Sequence, residues 1–251
     1  MDFNDPAQRA AFFDVHQGLD REGPGDRESL LRALSLVGPL PKAPRVLDLG
    51  CGPGGQTLDL AAQLPGAKVL AIDLHAPFLS RLDARAEAAG VGDRVRTLRA
   101  DMAKLDLETG SFDLVWCEGA AYAIGFGNAL DLWRPLLAPG GRLAVTEAVW
   151  LKENPPKAAR DTFADYSGMG DAATARAAAV AAGYRILGDF VLPEAAWWTH
   201  YYGPMEARLE RIAPRLEQTE AGRIVLAEHR AEIECYRNHS DAYGYLFLVL
   251  A

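Results

Sequence analysis

The chain has few cysteines, three in 251 residues, at Cys51, Cys117 and Cys235. Their number is odd and they lie far apart. None belongs to a CxxC pair or has paired histidines nearby, which are the patterns typical of disulfide frameworks and zinc sites. The sequence therefore predicts three buried, reduced thiols and no metal site.

Basic residues and long apolar runs are also scarce. The 26 Lys and Arg are outnumbered by 34 Asp and Glu, which gives a formal net charge of −8. A nucleic-acid-binding surface neutralises phosphates with clustered Lys and Arg, so DNA and RNA are not expected as partners. No apolar stretch approaches the ~20 residues of a membrane span, and the N-terminus is acidic where a signal peptide is basic. We expect a cytoplasmic protein without a membrane or nucleic-acid partner.

Apolar runs alternate with helical patterns through the first 150 residues. Strands are predicted at 45–49, 69–74, 94–99, 112–117 and 142–149. A helical stripe of Phe126, Leu130, Trp133 and Leu137 ends at the helix breaker formed by residues 139–141. Such alternation predicts a mostly parallel sheet covered by helices.

The regular alternation stops after Trp150. Residues 157–170 show no clear period, and the run Trp197 to Tyr202 is predicted to be a loop because it follows a strand and precedes a proline. The predicted C-terminal elements are a helix over 172–182, a strand over 185–192, a helical region over about 204–237 divided at Pro214, and a strand over 243–250. We expect an N-terminal lid over 1–37 and one domain over 38–251, with an insertion at about 150–172 and a helical region at about 204–238.

A glycine-rich loop follows the first predicted strand. Glycines at the end of a strand let a ligand contact bare backbone. Gly50, Gly52 and Gly55 also satisfy the GxGxxG pattern, and Asp73 lies at the end of the next strand, as in nicotinamide-binding proteins. The loop alone therefore leaves both a nicotinamide and a different nucleoside cofactor open.

Two acidic residues favour a cationic cofactor without a pyrophosphate. Asp48 lies two residues before the first glycine, where a carboxylate suits an ammonium group and repels a pyrophosphate. Asp101 and Met102 follow the third strand, where they are placed to hold an adenine amino group and its ring. The alternative role of Asp101 is a helix N-cap.

The glycine loop, Asp73, Asp101 with Met102, and the segment 137–143 before a fifth strand together resemble the class I S-adenosylmethionine (SAM)-dependent methyltransferases. The resemblance extends from about Gly38 to Val149 by motif and to Ala251 by the order of predicted elements. The resemblance implies an α/β fold, with a Rossmann-like seven-stranded sheet of order 3-2-1-4-5-7-6, an antiparallel last strand, helices on both faces and a small substrate-side cap. Segments 21–25, 118–122 and 198–202 look like those of bacterial small-molecule methyltransferases.

The resemblance also implies a cofactor site for SAM, with S-adenosylhomocysteine as product. Arg21 meets the methionine carboxylate if the amphipathic segment from Ala7 to Leu19 belongs to a lid. The full set of predicted cofactor residues is Arg21, Asp48, Gly50, Gly52, Gly54, Gln56, Asp73, Leu74, Asp101, Met102 and Glu118.

Methyl transfer from a sulfonium needs alignment, desolvation and, for some acceptors, removal of a proton. Glu118 and Tyr122 are the predicted catalytic residues, because they follow the fourth strand at the ligand-binding edge. Glu147, near the end of the fifth strand, either accepts a proton, pairs with a cationic substrate or has only an internal partner. The predicted substrate-binding residues are Tyr122, Glu147, Trp150, Trp198, His200 and Tyr201.

The acceptor is expected to be a small molecule with an N or O nucleophile. The segment 117–122 lacks the Asn/Asp-Pro-Pro-Tyr motif of methyltransferases that modify nucleic-acid amino groups. Two other functions stay open, a nicotinamide-dependent oxidoreductase and a non-catalytic SAM-binding protein, and a homodimer is compatible with the sequence.

Overall fold

A computed structural model describes residues 1–166 and 168–251. The strands are β1 (Arg45–Leu49), β2 (Lys68–Asp73), β3 (Val95–Arg99), β4 (Phe112–Cys117), β5 (Leu137–Trp150), β6 (Ile186–Val191) and β7 (Tyr243–Leu250). The α-helices are α1 (Pro6–His16), α2 (Arg27–Val37), α3 (Gly55–Gln63), α4 (Ala76–Ala88), α5 (Phe126–Trp133), α6 (Lys157–Thr162), α7 (Ala172–Ala181), α8 (Glu194–Trp197), α9 (Gly203–Leu216) and α10 (Glu220–His239). Short 3₁₀ turns cover Ala121–Ile124 and Arg134–Leu136, and a π-helical turn covers Trp198–Tyr202.

The seven strands form one sheet in the order β3-β2-β1-β4-β5-β7-β6. Neighbours from β3 to β5 pair in parallel, and β7 is antiparallel to both β5 and β6. The predicted order and the antiparallel last strand are therefore confirmed. Because the first five strands run in one direction, their carboxyl ends meet at one edge, where such sheets bind ligands.

Alternating side chains of the strands supply two apolar layers. Val46 packs with Leu30 of α2 and Leu60 of α3 on one face of the sheet. Leu47, the next residue, packs with Leu130 of α5 on the other face. This alternation explains why buried parallel strands have almost continuous apolar sequences. Both faces of the sheet are covered by helices, as predicted.

A third apolar cluster joins the N-terminal helix to the C-terminal helices. Val15 of α1, Leu209 of α9 and Ile233 of α10 are all buried in it. We call this cluster, with its three helices, the cap. None of the helices within the two described ranges is both long and apolar enough to cross a membrane.

The prediction of a loop from Trp197 to Tyr202 is wrong, because this run is helical. Trp197, Tyr201 and Tyr202 are buried in the cap, and the Trp197 ring stacks on Tyr236 with 4.4 Å between centroids. Burying these large rings favours a helical path that aims them at one apolar cluster. The four-residue spacing of Trp197 and Tyr201 is the signal that was available for a helix.

Three element boundaries also differ from expectation. Pro214 does not divide the C-terminal helical region, since it lies in the last turn of α9. A proline lacks its own N–H and crowds the carbonyl four residues before it, but it leaves the hydrogen bonds of the following residues intact, so the helix continues to Leu216. The division comes later, because α10 begins after Thr219. The Thr219 side chain caps α10 by accepting a hydrogen bond from Gly222 N at 3.0 Å. Residues 157–170 contain the short helix α6, and β5 begins at Leu137, so residues 139–141 lie within the strand beside a register shift.

Candidate functional site

Two glycines of the loop after β1 are fixed by close protein packing. Gly50 and Gly54 have positive φ angles of 69° and 86°. A Cβ added at Gly50 would lie 2.4 Å from the Ala120 side chain, and one added at Gly54 would lie 2.1 Å from Leu82 of α4. Both positions therefore require glycine because of the backbone conformation and the neighbouring side chains.

Gly52, between these two glycines, is hydrogen-bonded to Asp73 at the end of β2. Gly52 N donates a hydrogen bond to Asp73 Oδ2 at 2.9 Å, and His75 N donates to Asp73 Oδ1 at 2.8 Å. Each carboxylate oxygen keeps a further lone pair for a hydroxyl group. Asp73 thus suits a ribose and also stabilises the loop, a second role that the spacing alone did not indicate.

Asp48 and Gln56 connect the loop to the start of α3. The fully buried Asp48 accepts hydrogen bonds from Thr57 Oγ1 at 2.5 Å and from Gln56 Nε2 at 3.4 Å. Gln56 Nε2 also donates to the Cys51 carbonyl at 3.2 Å. Burial raises the pKa of Asp48 to about 7, against the effect of the Thr57 hydrogen bond. The structure therefore gives both residues an internal function, and their contacts with a cofactor stay predictions.

The predicted adenine residues lie at the same edge as Asp73. Ala100 N, directly before Asp101, donates to the Asp73 carbonyl at 3.2 Å. Asp101 Oδ1 accepts from Ala103 N at 2.9 Å, which closes an Asx turn. The alternative role as a helix N-cap is wrong, because no helix of the described ranges begins directly after Asp101. Met102 packs partly buried against the second apolar layer, and Leu74, directly after β2, is 61% exposed.

The segment after α1 covers the glycine loop. Arg81 donates hydrogen bonds to the carbonyls of Gly18, at 2.8 Å, and Leu19. Arg85 donates to the Asp20 carbonyl at 3.2 Å and to the Pro53 carbonyl of the loop at 2.7 Å. Two arginines of α4 therefore hold residues 18–20 against the loop, and the role of this segment as a lid stays a prediction.

Arg21 fastens this segment to β4 and α3. Its guanidinium donates to Glu118 Oε2 at 3.0 Å and to Asp59 Oδ2 at 3.1 Å, and its exposure is 6%. Glu118 Oε1 accepts from Trp116 Nε1 at 2.7 Å. Burial raises the pKa of Glu118 and the Arg21 charge lowers it. A carboxylate bonded at both oxygens to N–H donors is suited to anchoring, whereas its predicted catalytic role stays a prediction.

Tyr122 and Glu147 line one cavity of about 450 Å³, between the turn at Ala121–Ile124, β5 and the start of α7. Tyr122 is 49% exposed, and its ring centroid lies 6.0 Å from that of Tyr166. The Tyr166 hydroxyl donates to Glu147 Oε1. Tyr166 was missed by the sequence analysis, because the aperiodic segment around it offered no signal.

The other predicted substrate residues lie elsewhere. Tyr201 is buried in the cap, Trp150 packs edge-on against Phe163 at 5.7 Å, and His200 is exposed. Trp198 Nε1 donates to Glu194 at 3.2 Å. Within the described ranges, none of these four predicted residues lines the Tyr122–Glu147 cavity.

Comparison with known sequences identifies a methyltransferase domain over residues 46–141. The chain is 32% identical over 174 residues to trans-aconitate 2-methyltransferase of Paracidovorax citrulli, covering 66% of this chain and 65% of that protein. It is 29% identical over 213 residues to trans-aconitate 2-methyltransferase of Azoarcus sp., covering 80% and 72%. The similarity to sterol 24-C-methyltransferase of Gibberella zeae, at 31% identity, spans 43% of this chain and 28% of that protein. The chain thus spans about two thirds or less of the length of several curated relatives it matches.

Solved structures resemble almost the whole chain. A SAM-dependent methyltransferase from Geobacter sulfurreducens, in complex with S-adenosyl-L-homocysteine, has a TM-score of 0.83 at 23% identity and covers 96% of this chain and 97% of that one. The protein YjhP of E. coli has a TM-score of 0.83 at 21% identity, with coverages of 96% and 98%. Both similarities show that the fold is shared.

Proposed function

We propose that the chain is a class I SAM-dependent methyltransferase that transfers the methyl group of SAM to a small-molecule acceptor. The observation that carries this proposal is the joining of Asp73 to Gly52 at the carboxyl edge of the sheet, under a segment that covers the loop. A cavity lined by Tyr122 and Glu147 lies along the same edge.

The residues at this edge fit the parts of SAM. Asp73 has lone pairs for the ribose hydroxyls, and we assign Gly52, which lies under Glu22 of the covering segment, to the methionine end. We assign Asp101 and Met102 to the adenine ring, and Gly50, Gly54, Asp48 and Gln56 shape the loop. When bound, SAM supplies a methyl group on a positively charged sulfur that departs as a neutral thioether.

The chain's own contribution to this reaction is positioning and exclusion of water. The Arg21 contacts with Glu118 and Asp59 keep the covering segment closed over the loop. A closed site strengthens the electrostatic interactions inside it and holds reacting groups in line. Tyr122 lies in the turn directly after the Glu118 region, at the boundary between loop and cavity.

The acceptor named for the two relatives, trans-aconitate, is a tricarboxylate, and it is the second candidate class of acceptor for this chain. The Tyr122–Glu147 cavity, however, has two acidic residues in its lining, the buried Glu147 and the exposed Asp165. Because like charges repel most strongly where water is scarce, this lining gives no support to a trianion.

Calorimetric titration with SAM and with NADH tests the proposed cofactor. We expect SAM to bind and NADH not to bind, followed by release of S-adenosylhomocysteine when a metabolite panel is supplied. Binding of NADH without SAM would overturn the proposal in favour of an oxidoreductase. Binding of SAM without product, over a broad panel, would instead indicate a SAM-binding protein without catalysis.

A further inference from the structure

Glu147 is a buried acid with one hydrogen-bond acceptor, Oε2, that has no described donor. It lies on β5 opposite Leu246 of β7, and its flanking neighbours on the same face, Val145 and Val149, are fully or almost fully buried. Glu147 itself is 4% exposed. An acidic side chain on such an apolar stripe needs partners, because burial strips a carboxyl group of water.

The two oxygens of this carboxyl group differ. Oε1 accepts the hydrogen bond of the Tyr166 hydroxyl. Oε2 is shielded from solvent, and no donor in 1–166 or 168–251 reaches it. A buried polar atom without a partner is destabilising, so its presence beside a cavity points to a ligand that supplies the missing donor.

Electrostatics decide which donor fits best. Burial raises the pKa of Glu147 to about 7, against the lowering effect of the Tyr166 hydrogen bond. An ammonium group beside Oε2 would reverse this penalty, since an opposite charge stabilises the ionised carboxylate. A carboxylate or phosphate ligand would add a like charge and be repelled.

The rest of the cavity lining agrees with this choice. Asp165 contributes a second acid, and the lining that the structure describes contains no Lys, Arg or His. Tyr122, Phe126 and Tyr166 contribute aromatic surface, which attracts both cations and apolar groups. The volume of about 450 Å³ is within the range that small ligands occupy.

We propose that this cavity binds an amine with an aromatic or other apolar substituent, its ammonium group hydrogen-bonded to Glu147 Oε2. The apolar part of the amine packs against Tyr122 and Phe126. This inference rests on the proposed function, because it assigns the acceptor class of the same methyltransferase.

Calorimetry with two probes of matched shape tests the assignment without SAM. We expect 2-phenylethylamine to bind at least tenfold more tightly than 3-phenylpropanoate. Glu147→Gln should weaken binding of the amine about tenfold or more and leave 3-phenylpropanoate unchanged or tighter, because the substitution removes the charge and keeps the shape. Glu153→Gln, at an exposed acid three residues after β5, is the matched control and should leave both affinities unchanged.

Equal or tighter binding of 3-phenylpropanoate, or an unchanged amine affinity in Glu147→Gln, would overturn the proposal. Equally tight binding of the neutral 3-phenylpropan-1-ol would also overturn it, since it would show a hydrogen-bonding site without charge selection. Circular dichroism tests whether Glu147→Gln is folded. If the variant is unfolded, the affinities of the three probes for the native protein test the proposal without it.

A SAM titration of the same samples separates the two levels of inference. Tight SAM binding without amine binding contradicts only the acceptor class. Amine binding without SAM binding contradicts the proposed function and leaves the cavity assignment standing.

Discussion

The glycine loop after β1 and the cavity beside β5 lie along one edge of the sheet, yet they are assembled differently. The loop and its partner Asp73 come from two consecutive strands, and the two Asp73 oxygens both have internal donors. The cavity combines Tyr122, Glu147 and Tyr166 from three separate segments, and leaves Glu147 Oε2 without a described donor. The loop is therefore organised in advance, with its glycines packed and its polar groups bonded, whereas the cavity leaves a buried acceptor atom without a described donor.

If the loop is pre-organised, a branched side chain within it should have the largest effect. Gly52→Val is expected to weaken SAM binding more than 100-fold, because Gly52 has a φ of 53° and an added Cβ would lie 3.1 Å from Glu22 of the covering segment. Calorimetric titration measures the loss. Gly110→Val, at a φ of 72° with nothing near its Cβ, is the control for backbone strain alone and should bind SAM normally.

The covering segment depends on the buried Arg21–Glu118 pair. Arg21→Ala should lower the free energy of unfolding by about 3 kcal/mol and weaken SAM binding, because it leaves a buried acid without its cation. Glu118→Gln should weaken SAM binding as well, and the effects of the two substitutions should not add, with a coupling of about 0.5 to 3 kcal/mol. A different result, a turnover about 100-fold lower in Glu118→Gln at unchanged SAM affinity, would assign the residue to proton transfer instead.

Asp73→Ala should weaken SAM binding by about 1.5 to 3 kcal/mol, through the loss of hydrogen bonds to the ribose. Part of the loss arises from the loop, since Gly52 N loses its acceptor. Asp93→Ala, at an exposed acid on the same half of the sheet, should leave the dissociation constant unchanged. An unaltered dissociation constant in Asp73→Ala would remove this residue from the cofactor site.

In the cavity, unlike in the loop, removing the buried acid should raise the free energy of unfolding of the protein without ligand. Burial raises the pKa of Glu147 from 4.5 to about 7, so between these values the folded chain keeps a proton that the unfolded chain has released. Stability therefore falls as pH rises through this window and levels off above it. Relative to the native protein, Glu147→Gln should gain about 1 to 3 kcal/mol between pH 5 and pH 8. Urea unfolding at the two pH values measures this gain, and a parallel pH dependence of both proteins would contradict the buried, ligand-ready acid.

The smallest effect is expected at the exposed His200, in the π-helical turn Trp198–Tyr202. His200 is exposed and lies outside the described lining of the cavity, so His200→Ala should change the Michaelis constant for an acceptor less than twofold. A larger increase would restore the sequence-based prediction that this residue binds substrate.

A region could be predicted from the sequence when the residues that form it lie close together along the chain, and less well when they lie far apart. The strands and the glycine loop were placed correctly from local patterns, because a buried parallel strand needs a continuous apolar run and a tight ligand-binding turn needs glycine. The helical run from Trp197 to Tyr202 was missed, because the four-residue spacing of Trp197 and Tyr201 was outweighed by the neighbouring strand and proline. The packing of Trp197 against Tyr236 that fixes the run lies outside any local pattern.

The amino-acid sequence by itself therefore determined the strands and the position of Glu147 near a strand end, since both depend on periodicity. The sheet order and the cofactor class followed from the motifs through their resemblance to the class I SAM-dependent methyltransferases. Only the tertiary structure decided what the acids are bonded to. Glu118 is paired with Arg21, 97 residues away, whereas Glu147 is joined to Tyr166 from a segment without periodicity. The physical reason is that the pKa and the free lone pairs of a carboxyl group depend on burial and on donors brought together by folding, which no local pattern of residues records.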